Sequence, residues 1–399
     1  MKKLLLILAL VGFCFVDAAA QKKIPETVNL LPNRGRRVEI ILPQVKGLNC
    51  YKADLHVHTI YSDADLTPEE RIKEAWHDGL DIISITDHIE YRRHEPNMLK
   101  FLKGYTGGES IKAINNSLTH RPASEEGILA DLNIPTQLSL KAGKAYGDEL
   151  LVIPGAEITR HPQKIGHYNI LWPKDNNAIY DADALQALRN AKAQGAFITH
   201  NHPGWNRKTC DITEFEQQAY DEKLIDGIEI MNGVSFYPKI INRAIEKKFA
   251  MLACTDIHNL TSHYRLSGYF RTMTLIFAKD NTDKAIRKAL EKRMTLGYCA
   301  GNIAGDAELL EDFFKASVSC KFLSRGKKGA ATYALTNSTS IPYKLRFGKN
   351  VHELPAFSTI TISVGKTKEG QDKDVVFKVA NMWGPNYENL KVVYKASAK

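Results

Sequence analysis

Short apolar runs alternate with amphipathic stretches from Tyr51 to about Ala300, and this alternation restricts the fold more than any other feature. Repeated strand and helix patterns favour an α/β protein with a parallel sheet. About seven such units predict a closed or distorted barrel, because eight comparable units close the best-known barrel of this kind. The predicted strands are 53–57, 81–86, 150–159, 167–172, 196–199, 227–231, 251–255 and 272–278, and the predicted helices are 67–80, 182–194, 237–248 and 282–293.

Two segments depart from this pattern. Residues 91–145 are polar, contain glycines and prolines and lack a strand pattern, which predicts a partly helical insertion beside the site. Both a functional role and a plain structural excursion are open for it. After Ala316 the apolar segments are short, β-branched or aromatic, and turn residues separate them. We therefore predict a small antiparallel β-sandwich at 316–399, after a catalytic barrel at 21–310.

The first twenty residues have the pattern of a secretory signal peptide. Lys2 and Lys3 precede an apolar run from Leu4 to Val16, and three alanines end at Ala20. The run is short for a membrane span, although a membrane anchor is the alternative. We predict a signal peptide at 1–20 and an exported, periplasmic protein without a membrane span in the mature chain. Cleavage would remove two lysines and Asp17, so the net charge of +9 becomes 9 − 2 + 1 = +8.

Composition indicates a soluble globular protein, with 44% apolar and 25% charged residues. The basic residues are scattered, and no nucleic-acid-binding motif is visible. We therefore expect a small-molecule partner and no nucleic acid. The five cysteines beyond the predicted signal peptide lack a C-x-x-C pair, which excludes a zinc ribbon and favours buried thiols.

Ligand-type side chains collect at the ends of the predicted strands. His56 and His58 lie two residues apart on one strand, so their side chains face the same side. The carboxyl ends of parallel barrel strands meet at one mouth, where unrelated core histidines would not collect. The residues in question are His56, His58, Asp63, His88, Glu157, His167, His200, His202, Asp256 and His258.

Imidazoles mixed with carboxylates suit Zn²⁺, Mn²⁺ or Fe²⁺ and suit Ca²⁺ poorly. The ligand-type residues are more numerous than one ion needs. We therefore predict two to three divalent transition-metal ions, with Glu157 placed to bridge two of them.

Five short motifs follow one another along the chain: His56-Val57-His58, Thr86-Asp87-His88, Gly155-Ala156-Glu157, His202-Pro203 and Asp256-Ile257-His258. This series resembles the PHP family, named for polymerase and histidinol phosphatase. The resemblance implies a distorted seven-stranded (β/α) barrel with three metal ions. The implied ligands are His56, His58, Asp256 and Glu157 for the first ion, Glu157, His167 and His202 for the second, and Asp63, His88 and His258 for the third, with His200 as the alternative to His202.

The predicted activity is metal-dependent hydrolysis of small organic phosphodiesters, through attack of a hydroxide that bridges two ions on phosphorus. Glu157, Asp256 and His258 are the predicted catalytic residues. A signal peptide followed by a β domain looks more similar to exported PHP phosphodiesterases than to cytosolic histidinol phosphatases. A phosphomonoesterase, a metal-dependent amide or ester hydrolase and a non-catalytic binding protein remain the alternatives.

Several cationic side chains follow the metal motifs and are predicted to bind the phosphate ester. Each of them alone is more typical of an ordinary surface charge, but taken together they lead us to expect at least one near the phosphate. Trp205 follows the His202 turn, where it could line the substrate pocket or belong to the core. The predicted substrate-binding residues are Arg160, His200, Arg207, Arg265 and Arg271.

Overall fold

The apolar runs form strands close to the predicted positions. A computed structural model describes residues 26–28, 35–94, 131–326, 329–368 and 370–396. The strands are β1 (Asn49–Asp54), β2 (Ile82–Ser84), β3 (Leu151–Ile153), β4 (Gly155–Thr159), β5 (His167–Leu171), β6 (Phe197–His200), β7 (Gly227–Asn232), β8 (Ser235–Phe236), β9 (Ala250–Cys254), β10 (Met273–Ala278), β11 (Thr295–Cys299), β12 (Asn302–Gly305), β13 (Val318–Arg325), β14 (Ala331–Asn337), β15 (Tyr343–Phe347), β16 (Asn350–Leu354), β17 (Thr359–Val364), β18 (Val375–Trp383) and β19 (Asn389–Tyr394).

The helices lie between these strands, and five of those described are capped by side chains that the sequence makes recognisable. The N-cap Thr67 accepts a hydrogen bond from the backbone N–H of Glu70 at 3.3 Å, and Pro68 follows at the first helical position. The described helices are α1 (Pro68–His77), α2 (Ile134–Gly143), α3 (Ala184–Ala193), α4 (Glu214–Asp221), α5 (Pro238–Lys247), α6 (Ser262–Leu266), α7 (Asp283–Glu291) and α8 (Ala307–Ser317).

Two predicted segments cannot be compared with the structure. The signal peptide at 1–20 and residues 95–130 of the insertion at 91–145 lie outside the described residues. The end of the predicted insertion contains α2, as its partly helical pattern indicates. Both assignments stay predictions.

The strands are arranged in mixed sheets, which confirms the α/β class and corrects the prediction of a parallel sheet. A ten-stranded sheet has the order β16-β15-β18-β12-β11-β10-β1-β2-β3, with β19 beside β18. A six-stranded sheet has the order β4-β5-β6-β7-β8, with β9 beside β7, and β13-β14-β17 form a third sheet. The β1–β10, β4–β5 and β5–β6 pairs are antiparallel. A buried apolar run looks the same in either orientation, so the sequence could not distinguish them.

Parallel bridges connect the two larger sheets close to the predicted ligands. Val57 pairs with Ile257, and His88 pairs with Glu157. These bridges bring the carboxyl ends of β1, β2 and β9 next to β4. A closed barrel is not shown, and the seven-stranded barrel stays a prediction.

Four of the seven C-terminal strands, β15, β16, β18 and β19, belong to the ten-stranded sheet. Ile303 of β12 pairs in parallel with Met382 of β18, and residues from Arg37 onward form one compact unit. Phe314 of α8 packs against Tyr343 and Phe377, with ring centroids 5.0 and 5.8 Å away. The predicted change of character falls within α8, and the β-sandwich as a separate domain stays a prediction.

Two further observations concern the described residues alone. None of their helices is long and apolar enough to cross a membrane. The five described cysteines are free thiols, of which Cys254 and Cys299 are buried and the other three are partly buried. The expectation of buried thiols therefore holds for two of them.

Candidate metal centre

His56 and His58, which follow β1, form the first part of the site together with Asp256. Their Nε2 atoms lie 3.0 Å apart, because alternate residues of an extended segment face the same side. Asp256 Oδ1 lies 3.2 Å from His56 Nε2 and 3.1 Å from His58 Nε2. Both imidazoles are fully buried. The structure thus brings together the residues predicted for the first ion.

Glu157 occupies the centre of the site. Its Oε1 lies 3.3 Å from His56 Nε2, 3.4 Å from His167 Nδ1 and 3.9 Å from His202 Nε2. Its Oε2 contacts His88 Nδ1. The carboxylate is fully buried on β4. Its two oxygens therefore face different imidazoles, as a bridging ligand requires.

The second group of donor atoms differs slightly from the predicted one. His56, Glu157 and His202 offer donor atoms within 4.8 Å of one another. His167, which was predicted here, lies outside that group, although its Nδ1 contacts Glu157. His56 is therefore a member of both the first and the second donor group.

The third group contains every predicted residue and one more. His58, Asp63, His88 and His258 offer donor atoms within 4.8 Å of one another. Asp63 Oδ1 lies 3.4 Å from His88 Nε2 and 3.2 Å from His258 Nε2. The side chain of His258 is 37% exposed, so this group lies at the outer edge of the site.

Electrostatics keeps Glu157, His58 and His202 in the forms that bind metals. Burial raises the pKa of Glu157, but the nearby His88 and His56 outweigh it and hold that pKa well below its usual range. Burial and His88 lower the pKa of His58 to about 4. Burial and His167 lower the pKa of His202 to about 3. Ionised carboxylates and neutral imidazoles are the forms that coordinate metal ions.

His56, His88 and His258 behave in the opposite way, because neighbouring carboxylates outweigh burial and raise the pKa of each imidazole. His88 shows this most clearly. Burial lowers its pKa, but Glu157 and Asp63 outweigh burial and raise it to about 10. Both carboxylates thus favour the cationic form of its imidazole. Binding of a divalent ion at this position would displace the proton.

One buried atom of the site supports a metal centre. His167 Nε2 is buried and has no hydrogen-bond partner among the described residues. A buried polar atom without a partner is costly, so such an atom at a functional site needs an explanation. Histidine nitrogens and carboxylate oxygens together fit Zn²⁺, Mn²⁺ or Fe²⁺. The residues therefore fit the predicted ions.

His200 lies away from the donor groups. Its Nδ1 is 2.7 Å from the Tyr220 hydroxyl, and its Nε2 is 3.4 Å from Glu216 Oε1. Among the described residues, His202 belongs to a donor group and His200 does not. The geometry therefore favours His202 of the two alternatives.

Two of the predicted substrate-binding arginines are buried in ion pairs. Arg160 pairs with Glu90 at 2.8 Å, and Arg271 contacts Asp54. Arg160 and Arg271 are 3% exposed. Protein carboxylates already hold both guanidinium groups, so we do not carry these two residues into the proposed substrate site.

The other two arginines differ from each other. Arg207 Nη2 lies 2.5 Å from Glu216 Oε1, and its Nε donates to the carbonyl of Pro162 at 2.6 Å. The side chain of Arg265 lies outside the described residues. A substrate role for either residue stays a prediction.

The ion pair of Arg271 gives a prediction about stability. Arg271→Met keeps most of the side-chain volume but leaves Asp54 as a buried carboxylate without its cation. We expect the free energy of unfolding to fall by about 3–5 kcal/mol, as measured by urea denaturation. Lys73→Ala removes an exposed ion pair with Glu70 and should change the free energy of unfolding by less than about 1 kcal/mol. Equal effects of the two changes would contradict a structural role for Arg271.

The sequence analysis assigned no role to three buried polar residues near the ligands. Asp87 accepts hydrogen bonds from the Thr59 backbone N–H at 2.7 Å and from the Ser62 hydroxyl at 2.6 Å. Asn201 Nδ2 donates to Glu157 Oε1 at 2.7 Å. Glu229 Oε1 lies 2.8 Å from His56 Nδ1. The available signal was a polar residue within an apolar run, since burying it without a partner is costly.

Comparison with known proteins identifies the family. A model of the PHP domain matches residues 54–195. A solved structure from Bacteroides vulgatus, described as a two-domain protein containing a predicted PHP-like metal-dependent phosphoesterase, is 30% identical. The alignment covers 90% of this chain and 99% of that one, with a TM-score of 0.77. This chain belongs to the PHP family. The search of curated proteins found no match.

Other similar structures correct one prediction about partners of this PHP protein. Endonuclease Q, in complex with a 27-mer duplex carrying an abasic lesion, is 16% identical and covers 65% of this chain and 60% of its own, with a TM-score of 0.38. A lesion-specific endonuclease from Pyrococcus furiosus is 15% identical, with coverages of 65% and 59% and a TM-score of 0.38. The exclusion of nucleic acid was therefore wrong. A likeness this distant gives no positive argument that this chain acts on DNA.

Proposed function

We propose that this PHP protein is a metal-dependent hydrolase of phosphate esters that favours phosphodiesters. The observation that carries the proposal is the meeting of three donor groups around one buried carboxylate. His56 belongs to two of these groups and His58 to two, and both Glu157 oxygens face imidazoles. A cluster with this many donors can hold more than one ion.

The residues proposed to hold the ions are those of the three groups, together with His167. Divalent ions bound there supply positive charge that stabilises a phosphoryl group and lower the pKa of water. Glu157 and Asp256 supply the negative charge that keeps such ions in place. His258 Nδ1 donates to the backbone carbonyl of Asp256 at 2.8 Å, which directs its Nε2 toward Asp63. The protein thus fixes the orientation of its most exposed imidazole.

The predicted substrate-binding arginines that the structure describes offer a monoester no advantage over a diester. A phosphodiester carries one negative charge, whereas a monoester carries up to two at neutral pH. Arg160, Arg207 and Arg271 are each paired with a protein carboxylate. None of these three guanidinium groups is therefore available to neutralise a second charge without losing its present partner.

Trp205 supports an organic substituent on the ester. Its ring centroid lies 5.3 Å from those of both His167 and His202, and the residue is 48% exposed. An exposed indole beside two ligand-type histidines offers an apolar surface to a group attached to the phosphate. We propose that it contacts this group.

A substrate panel tests the proposal. The metal-loaded protein is assayed with bis(p-nitrophenyl) phosphate, p-nitrophenyl phosphate, p-nitrophenyl acetate and a DNA duplex that contains an abasic site. We expect kcat/KM for the diester to exceed that for the monoester by at least about tenfold, a difference of about 1.4 kcal/mol in the barrier. Cleavage of the duplex would identify a polynucleotide diester as the substrate.

The control and the contradicting result are defined by the same panel. A Glu157→Gln preparation purified in parallel reports any contaminating phosphatase. Hydrolysis of the carboxylate ester alone would contradict a phosphoesterase. A higher kcat/KM for the monoester would contradict the diester preference and leave the phosphoesterase in place.

We also propose the two-domain division at about 310–316 and export of the chain. The Bacteroides vulgatus relative is itself described as a two-domain protein, which supports the division. The basic, apolar and small residues of 1–20 support export.

A further inference from the structure

Glu229 is a fully buried carboxylate that lies outside the donor groups found among the described residues. It is located on β7, a strand that is otherwise apolar up to Asn232. A carboxylate in such a place is expensive to bury unless strong donors satisfy it. The hydrogen-bond partners of Glu229 therefore indicate its structural role.

These partners connect Glu229 with three predicted ligands. Its Oε1 lies 2.8 Å from His56 Nδ1, and its Oε2 accepts from the backbone N–H of His202 at 2.7 Å. The same Oε2 accepts from Asn232 Nδ2 at 2.8 Å, and this amide also lies 3.4 Å from Asp256 Oδ2. One carboxylate thus contacts two ligands directly and a third, Asp256, through Asn232.

We propose that Glu229 is the positioning residue that sets the geometry of His56 and His202 for metal binding, an inference that rests on the proposed metal centre. The contact with a carboxylate requires the proton of His56 to be on Nδ1. In the neutral imidazole that binds a metal, the lone pair is then on Nε2, the atom that faces Asp256 Oδ1 and Glu157 Oε1 at 3.2 and 3.3 Å. Carboxylates hydrogen-bonded to ligand histidines fix the ring and raise its basicity as a ligand.

The backbone of His202 gives a second, independent reason. Its φ is +25°, and that of Asp256 is +52°, both in the region that non-glycine residues avoid. Such a conformation costs free energy and persists only where neighbouring contacts hold it. Glu229 holds the N–H of His202 directly, and Asn232 contacts the Asp256 carboxylate.

Glu229→Gln tests the proposal with little change in size. The carboxylate accepts from three donors, whereas the amide of glutamine has one acceptor oxygen. If that oxygen remains on the His202 N–H, the amide NH₂ faces His56 Nδ1 and favours a proton on Nε2, where the ion would bind. We expect the affinity for Zn²⁺ to fall by about 10–100-fold.

The readout is the affinity of metal-free protein for Zn²⁺, measured by competition with a chromogenic chelator. Glu90→Gln is the matched control, because Glu90 is equally buried but its described side-chain partners are Arg160 and the Thr159 N–H. We expect its Zn²⁺ affinity to stay within about threefold of the unmodified protein, well below the effect of losing a ligand's partner.

Two outcomes separate the inference from the function on which it rests. Failure of the unmodified protein to bind Zn²⁺ would overturn the metal centre itself. Normal binding by both the unmodified protein and Glu229→Gln would overturn only the positioning role. If Glu229→Gln does not fold, Glu229→Asp keeps the charge but is too short to reach both partners. An affinity of Glu229→Asp equal to that of the unmodified protein would then overturn the positioning role.

Discussion

Glu157→Gln is expected to lower kcat/KM for a phosphodiester by at least about a hundredfold, a loss of about 2.7 kcal/mol in transition-state stabilisation. Glutamine keeps the shape of the side chain but removes the charge at the centre of the site. The oxygens of Glu157 face His56, His167 and His88, so more than one donor group is disturbed. Bound ions would repel one another with less compensation, and the metal content should fall as well.

The measurement combines steady-state kinetics with elemental analysis of the same preparation. Arg189→Ala is the control, since it removes an exposed ion pair with Glu222. It should leave both the activity and the metal content unchanged. If Glu157→Gln kept full metal content and more than about a tenth of the activity, a loss below about 1.4 kcal/mol, the bridging role would be wrong.

Removal of the metals is expected to eliminate hydrolysis. Without ions the site retains imidazoles and carboxylates, and one general base supplies only about 10²–10⁴ of the very large acceleration that phosphate esters require. We expect less than about 1% of the activity after dialysis against a strong chelator, and recovery when Zn²⁺, Mn²⁺ or Fe²⁺ is added. Ca²⁺ should not restore activity, because imidazole nitrogens suit it poorly.

Thermal unfolding gives a readout of the same treatment that does not depend on activity. Ions that bind the folded chain and not the unfolded one raise Tm in proportion to the logarithm of their concentration. The metal-free protein should therefore have the lower Tm, and Glu157→Gln should show a smaller increase when metal is added. Full activity in protein with less than about a tenth of an ion per chain would contradict metal dependence.

The candidate ligands could be predicted because their positions follow from local rules. Ligand-type residues at the ends of apolar runs are visible in the sequence, and alternation along a strand places His56 beside His58. The sequence was less informative about which ligand atoms lie together in each metal-binding group. His56 and His58 each belong to two donor groups, and His167 belongs to none of them. These memberships depend on distances between side chains from different strands.

The roles of the arginines and of Glu229 could not be derived from spacing. A guanidinium that follows a metal motif can face either a substrate or a protein carboxylate. Asp54 and Glu90 decide the matter for Arg271 and Arg160, and these carboxylates lie 217 and 70 positions away from their partners. The direction of neighbouring strands could not be predicted from the sequence either, since an apolar run is compatible with parallel and antiparallel neighbours.

The number of metal ions per chain tests the central claim most directly. The protein, purified without chelator, is analysed for transition metals by mass spectrometry against a protein concentration from amino-acid analysis. Three donor groups around Glu157 predict two to three ions of Zn, Mn or Fe per chain. Fewer than one ion per chain, in protein that hydrolyses a phosphodiester, would contradict the account.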